Sequence, residues 1–237
     1  MITLLRPSAD LDRAEIEVEG DAYRHLFRAR RVAAGERVRL VDGAGRARWG
    51  ELAAVGRSSA TVRVGGEAPA RVPEVRVHLL VGAPKKERAS WLVEKATELG
   101  VAAVRLLDTE RTPREFGAGT LRRLERVAAA ALEQSHGGWL PELSGTHPWS
   151  EVPALLAAAG DGAARWVLDP QGAEAAGCDL APGPGGAAAL LVGPEGGWTD
   201  GERADLARWG CRAAALGPTT LRVETAALAG AALLLAR

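Results

Sequence analysis

Five apolar runs, residues 75–81, 101–107, 166–168, 187–192 and 212–216, are separated by stretches with helical periodicity. Few folds accommodate that rhythm. Strands that alternate with helices pair in parallel, and the sheet they form is covered on both faces. The helical stretch after the first run agrees. Leu92, Ala96 and Leu99 share one face, and Gly100 follows where a helix commonly closes in the left-handed conformation. Trp91 and Trp166 are expected in the core. An α/β domain is therefore expected over residues 73–237, with any ligand beyond the carboxyl ends of its strands.

Ahead of residue 73 the rhythm is different. Residues 37–41, 46–55 and 58–64 are short alternating runs, and the Asp42-Gly43-Ala44-Gly45 turn is a hairpin signal. Residues 65–73 contain Gly65-Gly66, Pro69 and Pro73 and have linker composition. A small β-barrel-like domain is expected over residues 1–70. The formal net charge is zero, yet residues 22–48 carry eight arginines (Arg24, Arg28, Arg30, Arg31, Arg37, Arg39, Arg46 and Arg48) against Glu36 and Asp42. Such a patch is either a solvated arginine-rich surface or a footprint for a phosphate backbone.

Two glycine-containing loops follow two successive apolar runs. In LLVGPEGGWTDGER, residues 190–203, the glycines let main-chain amides approach a ligand. Thr199 and Glu202 have capping-box spacing, so a helix is expected from Asp200. Glu195 and Asp200 make the loop a poor phosphate cradle, and the usual nucleotide motifs are missing. A neutral or cationic ligand bound through main-chain groups suits it better; a purely structural turn is the alternative. In LGPTTLRVETAALAGAALL, residues 216–234, a strand ends at Leu216 and an apolar helix starts near Glu224. Arg222 and Glu224 at that junction form either a surface pair or the polar part of a site shared by both loops.

The cysteines, Cys178 and Cys211, have no metal-ligand spacing and suit a reducing compartment. No metal is expected. The chain shows no apolar signal core at its start, and its longest apolar run, residues 226–236, is too short to span a bilayer. A cytoplasmic protein without a membrane segment is expected. His25 and His136 have the look of surface histidines.

The paired segments LVGPEGGW and LGPTTLRVETAAL resemble the C-terminal signature of the SPOUT superfamily of RNA methyltransferases. Within it they resemble the family that methylates uracil N3 in small-subunit ribosomal RNA. EKATELGV (94–101), ALEQS (131–135) followed by LPEL, and RHLFRARRVAAGERVRLVDGAG (24–45) resemble the same family, so the likeness covers nearly the whole chain. The resemblance implies a PUA-like β-barrel, then an α/β domain with a deep trefoil knot over about residues 165–237. It also implies a homodimer, S-adenosylmethionine as cofactor, and 16S rRNA in the assembled small subunit as substrate, at the decoding-region uridine 1498. Three stretches depart from the pattern. Thr219-Thr220-Leu221-Arg222-Val223-Glu224-Thr225 stands where the family usually has Arg-Ile-Leu-Arg-Thr-Glu-Thr, His136-Gly137-Gly138 where an arginine is common, and Ala29-Arg30-Arg31 where Val-Leu-Arg is usual.

On that resemblance Arg222 stabilises the uracil anion, and Glu224 either accepts the N3 proton or orients Arg222. Leu168, Asp169, Val192, Gly193, Gly197, Leu216, Gly217, Thr220 and Leu221 enclose the cofactor. Arg24, Arg28, Arg30, Arg31 and Gln134 contact RNA. Trp139 and Trp198 are candidates for stacking on a base, and residues 85–88 (KKER) for touching phosphate or forming a solvated helix start. Three other readings remain: a methyltransferase of another rRNA or tRNA nucleotide, a catalytically inactive RNA-binding relative, and a small-molecule enzyme using the loops for phosphate.

Overall fold

The computed structural model describes residues 1–24, 32–112, 118–171, 175–176 and 179–236. His25, Arg28, Arg30, Arg31 and Cys178 lie outside the described residues. The chain divides into two compact units, one of residues 1–72 with 129–140, the other of residues 73–128 with 141–237.

The first unit holds β1 (Ile2–Leu5), β2 (Glu15–Glu19), a short α1 (Gly20–Tyr23), β3 (Arg37–Val41), β4 (Ala47–Val55) and β5 (Ser59–Glu67), paired in the order β1-β3-β4-β5-β2. Only β1 and β3 run parallel. Two register irregularities in β4 bend the sheet, which curls around Leu4, Leu11, Ile16, Val18, Leu40, Leu52 and Val62. β2 shows the cause in miniature: in EIEVE the two apolar residues are buried and the three glutamates exposed. The expected hairpin joins β3 to β4, with Asp42 Oδ1 accepting from the amides of Ala44 and Arg46 at 2.8 and 3.0 Å. The linker expected from residue 65 starts later. β5 runs on through Gly65 and Gly66 to Glu67, because Arg48 opposes Glu67 and donates from Nε to the Gly65 carbonyl at 2.9 Å.

Residues 129–140 complete this unit. Leu132 packs with Val41 and Ala47, the Leu5 amide donates to Glu133 Oε1 at 2.8 Å, and Leu140 N donates to the Gly43 carbonyl at 2.8 Å. Arg39, 1% exposed, ties the unit together. It donates to four main-chain carbonyls: Pro69 at 3.0 Å, Ala70 at 2.8 Å, His136 at 2.7 Å and Gly137 at 3.1 Å. Burial pulls its pKa below the ordinary arginine value, and the charge of Arg71 adds to that. His136 is not the surface histidine expected. It is half-buried in the left-handed region (φ 58°), with Nδ1 2.8 Å from Thr3 Oγ1.

The second unit is a seven-stranded parallel sheet with helices. In chain order it runs β6 (Arg76–Gly82), α2 (Lys86–Leu99), β7 (Ala103–Asp108), α3 (Ala118–Ser135), β8 (Glu142–Pro148), α4 (Val152–Ala158), β9 (Ala164–Leu168), β10 (Ala175–Ala176), β11 (Ala187–Val192), α5 (Asp200–Arg208), β12 (Arg212–Ala215) and α6 (Val223–Leu235). The end of α3 belongs to the first unit. Spatially the strands lie β10-β12-β9-β11-β6-β7-β8. The chain thus fills one side from β6 to the β8 edge, crosses to the other side of β6, and later slots β11 between β9 and β6. Every residue of β11 (AAALLV) is buried, as a strand covered on both faces requires. α6 returns to pack on α2, β6 and β11. Gly230 permits this, since a Cβ there would lie 2.7 Å from Leu190 Cδ2.

α2 ends at Gly100 in the left-handed conformation (φ 83°). Its buried face is Ala89, Leu92, Val93 and Ala96, so Trp91 (44% exposed) turns away from the core in which it was expected, and Leu99 (37%), placed on the same face as Leu92 and Ala96, is exposed where they are buried. Trp166 is buried. Among the described residues no helix is long and apolar enough to cross a membrane.

Candidate active site

Three loops leave the carboxyl ends of β9, β11 and β12, which are neighbours in the sheet, and wall a cavity of about 350 Å³. That size suits a small organic ligand. Leu168 and Asp169 come from the first loop, Val192, Gly193 and Gly197 from the second, and Leu216, Gly217, Thr220, Leu221 and Arg222 from the third. All nine residues singled out for a cofactor are therefore brought to one place, with Arg222 beside them. Sequence reasoning passed over Pro170, Ala215, Val223 and Ala226 in the same wall. The last two were findable, as positions three apart on one face of an apolar helix.

The second loop is held from below and behind. Thr199 caps α5 as expected, accepting from Glu202 N at 3.2 Å while Glu202 Oε2 accepts from Thr199 N at 2.8 Å. Glu202 Oε1 also accepts from the Glu110 amide at 3.0 Å, and Arg111 Nη1 donates to the Gly196 carbonyl at 2.7 Å. Gly197 adopts φ 70°, a conformation that glycine takes without strain. Trp198 is 2% exposed, so it is not available to stack on a base. It lies under the loop instead. A Cβ on Gly193 would come within 3.0 Å of its ring, and its Nε1 donates to the Leu168 carbonyl at 3.3 Å, joining the first loop to the second.

Three charged residues line the cavity: Asp169, Glu195 and Arg222. Asp169 is buried and already engaged, accepting from Arg203 Nε at 2.7 Å and from Gln171 N at 3.1 Å. The hydrogen bond from Asp169 raises the Arg203 pKa. Glu195 is exposed. Arg222, also exposed, is the N-cap of α6 with φ −68° and ψ 154°; its carbonyl accepts from Ala226 N at 2.9 Å, and its side chain forms no hydrogen bond or ion pair among the described residues. Glu224 does not orient Arg222 directly. It is buried, lies outside the cavity wall, and accepts from Arg88 Nη1 at 3.0 Å. Residues 85–88 thus divide: Lys85 to Glu87 are exposed at the start of α2, and Arg88 is committed to an ion pair.

The basic stretch of the first unit is partly spent within the chain. Arg39 is buried, Arg37 stacks over Trp49 at 3.8 Å, and Arg46 pairs with Asp12 at 2.6 Å. Arg48 serves β5, as described above. Arg24 and Gln134 are exposed. The Trp139 segment is joined to the hairpin by a bridge to Ala44. Cys211 is a free thiol whose pKa burial pushes up to about 11, which suits an unreactive cysteine. Among the described residues no three His, Cys, Asp or Glu side chains are grouped to hold a metal.

A family model described as an RNA methyltransferase domain matches residues 71–235, and one described as an RNA methyltransferase PUA domain matches residues 18–65. The chain is 34% identical to ribosomal RNA small subunit methyltransferase E of Mycobacterium bovis over 221 residues, covering 89% of this chain and 82% of the relative. The enzyme of the same name from Synechocystis is 30% identical over 207 residues, covering 85% and 66%. The crystal structure of ribosomal RNA small subunit methyltransferase E from Neisseria gonorrhoeae, bound to S-adenosyl methionine, superposes with a TM-score of 0.86 at 26% identity, covering 98% of this chain and 95% of that one. A PUA-like curled sheet followed by a parallel α/β unit is common to both structures. With a third of its residues shared along most of its length, and both of its units matched by the same kind of enzyme, the chain belongs to the ribosomal RNA small subunit methyltransferase E family.

Proposed function

We propose that the protein transfers a methyl group from S-adenosylmethionine to uracil N3 of one uridine in 16S rRNA, within the assembled small subunit in the cytoplasm. The observation that carries this reading is the cavity walled by three loops beyond three adjacent parallel strands, with, in its wall, an arginine whose side chain is unpaired among the described residues. The cofactor fits the groups present. Leu168, Val192 and Leu221 offer apolar surface to a purine, the loops offer main-chain polar groups, and Glu195 suits a cation better than a phosphate. When bound, S-adenosylmethionine supplies a methyl group made electrophilic by its positively charged sulfur.

Uracil N3 holds its proton at neutral pH and attacks well only after losing it, so the site must favour the anion. Arg222 presents two-pronged donors to a uracil carbonyl and stabilises the charge that spreads there. The proton passes to water, N3 gains the carbon and the sulfur keeps the bonding electrons. Glu224, turned away from the cavity, supports this arrangement from behind.

The first unit supplies RNA affinity, and a second copy of the chain completes the enzyme as a homodimer. Exposed Trp91, Leu221 and Leu233 support such a contact. A trefoil knot belongs to the same reading, supported by the way α6 returns across β6 and β11 after the chain has gone out to β12.

The direct test is nucleoside mass mapping of 16S rRNA from a strain lacking the gene. 3-Methyluridine should vanish and return with the wild-type gene; its persistence in the deletion strain sinks the reading. Gly217→Val tests the cavity. An added Cβ there meets no atom within 4 Å and the backbone is not left-handed, so the fold should survive. Calorimetry should find S-adenosylmethionine binding weakened by at least about tenfold; wild-type affinity in the folded variant rejects the cavity as the cofactor site. Gly197→Val is the poorer probe, because φ 70° strains any other side chain. Replacing Arg28, Arg30 and Arg31 by alanine should weaken RNA binding and flatten its log–log salt slope by roughly two, with cofactor affinity unchanged. A slope equal to wild type makes them ordinary solvated side chains.

A further inference from the structure

Arg222 has a charged neighbour two residues on that serves it only indirectly. Glu224 sits in the first turn of α6 and is 6% exposed. Its Oε1 accepts from Arg88 Nη1 at 3.0 Å, and its Oε2 is buried with no partner among the described residues. Arg88 stands at the start of α2, which packs along α6. A buried carboxylate with one charged donor depends on that donor. Without it, the group must take up a proton or turn outward to water. Turning outward disturbs the first turn of α6, whose N-cap is Arg222 and whose Val223 and Ala226 form part of the cavity wall.

We infer that Arg88 is a positioning residue for methyl transfer: through Glu224 it fixes the first turn of α6, and so the direction in which Arg222 meets the substrate. This role presupposes that Arg222 acts on the uracil, as proposed above. Arg88 itself lies outside the cavity wall. Its side chain, 31% exposed, is one long arm laid between two helices whose starts are far apart in sequence.

The test compares wild type, Arg88→Met, Arg88→Lys, and Arg88→Met in a Glu224→Gln background. In Arg88→Met, hydrogen exchange of the 222–227 amides should quicken by about tenfold or more. Single-turnover methylation of small-subunit particles should slow by roughly tenfold to a hundredfold, with S-adenosylmethionine affinity held within about threefold. Arg88→Lys should recover most of both losses. Once Glu224 is glutamine, Arg88→Met should add less than about a further twofold, because the two residues act as one unit. Unchanged exchange overturns the inference, as does faster exchange with an undiminished rate, or a full Arg88 effect in the Glu224→Gln background. If Arg88→Met does not fold, Arg88→Gln carries the same comparison. Wild-type protein that fails to methylate small subunits would refute the functional reading instead, and exchange at residues 222–227 would still decide whether Arg88 holds that turn.

Discussion

Arg222→Lys should slow single-turnover methylation of small-subunit particles by roughly a hundredfold to a thousandfold, the loss expected when an oriented charged donor is removed from a transition state. Lysine keeps the charge and discards the planar fork, so the variant separates geometry from mere positive potential. The Arg222 side chain is exposed and has no partner among the described residues, so the fold should be untouched. S-Adenosylmethionine affinity should stay within about threefold of wild type, since the other residues of the cavity wall are unchanged. Raising the pH should recover part of the rate, because more of the uracil is then deprotonated before it binds. A variant running within about threefold of wild type at every pH would make Arg222 a structural N-cap and move the reactive centre elsewhere.

Arg39→Met should destabilise the first unit by about 3–5 kcal/mol, read as a lowered denaturation midpoint in guanidinium or heat. The cost arises from the four carbonyls as much as from the arginine. Methionine fills similar space but leaves the carbonyls of Pro69, Ala70, His136 and Gly137, exposed or half-buried residues, without the donor they share. Arg39→Lys should fall between, because three donors on a flexible stem cannot reproduce a fork that reaches two chain segments at once. An Arg39→Met protein with the wild-type midpoint would show that water satisfies those carbonyls, and that the buried guanidinium is dispensable.

What the sequence disclosed and what it withheld divide along sequence distance. The loops after residues 192 and 216 announced themselves because glycine and proline interrupt apolar runs, a local signal with a local cause. The capping box at Thr199 and Glu202 and the close of α2 at Gly100 are equally local, and both formed as expected. Arg39 looked like any other member of a basic stretch. Its fate depends on carbonyls about thirty and a hundred residues away, which no pattern around residue 39 records. The Arg88–Glu224 pair spans 136 residues and was hidden for the same reason. Trp91 was misjudged because an aromatic residue beside the apolar face of an amphipathic helix suggests core, whereas the buried face is set by Leu92, Val93 and Ala96. Trp198 was misjudged in the other direction. Its place beside Gly196 and Gly197 suggested an open ring, but Gly193, earlier in the loop, leaves the space in which the ring lies beneath it.

The return of residues 129–140 to the first unit has a consequence for how the protein is made. As the chain leaves the ribosome from its N-terminus, Arg39 emerges with its hairpin long before His136 and Gly137 exist to receive it. Two of its four carbonyl partners arrive only after β6, α2, β7 and most of α3 have been synthesised. The N-terminal sheet therefore cannot complete its Arg39 contacts from residues 1–72 alone. Its final closure waits for residues 129–140, so the unit that begins first in the chain is completed only after the opening strands and helices of the second have been made.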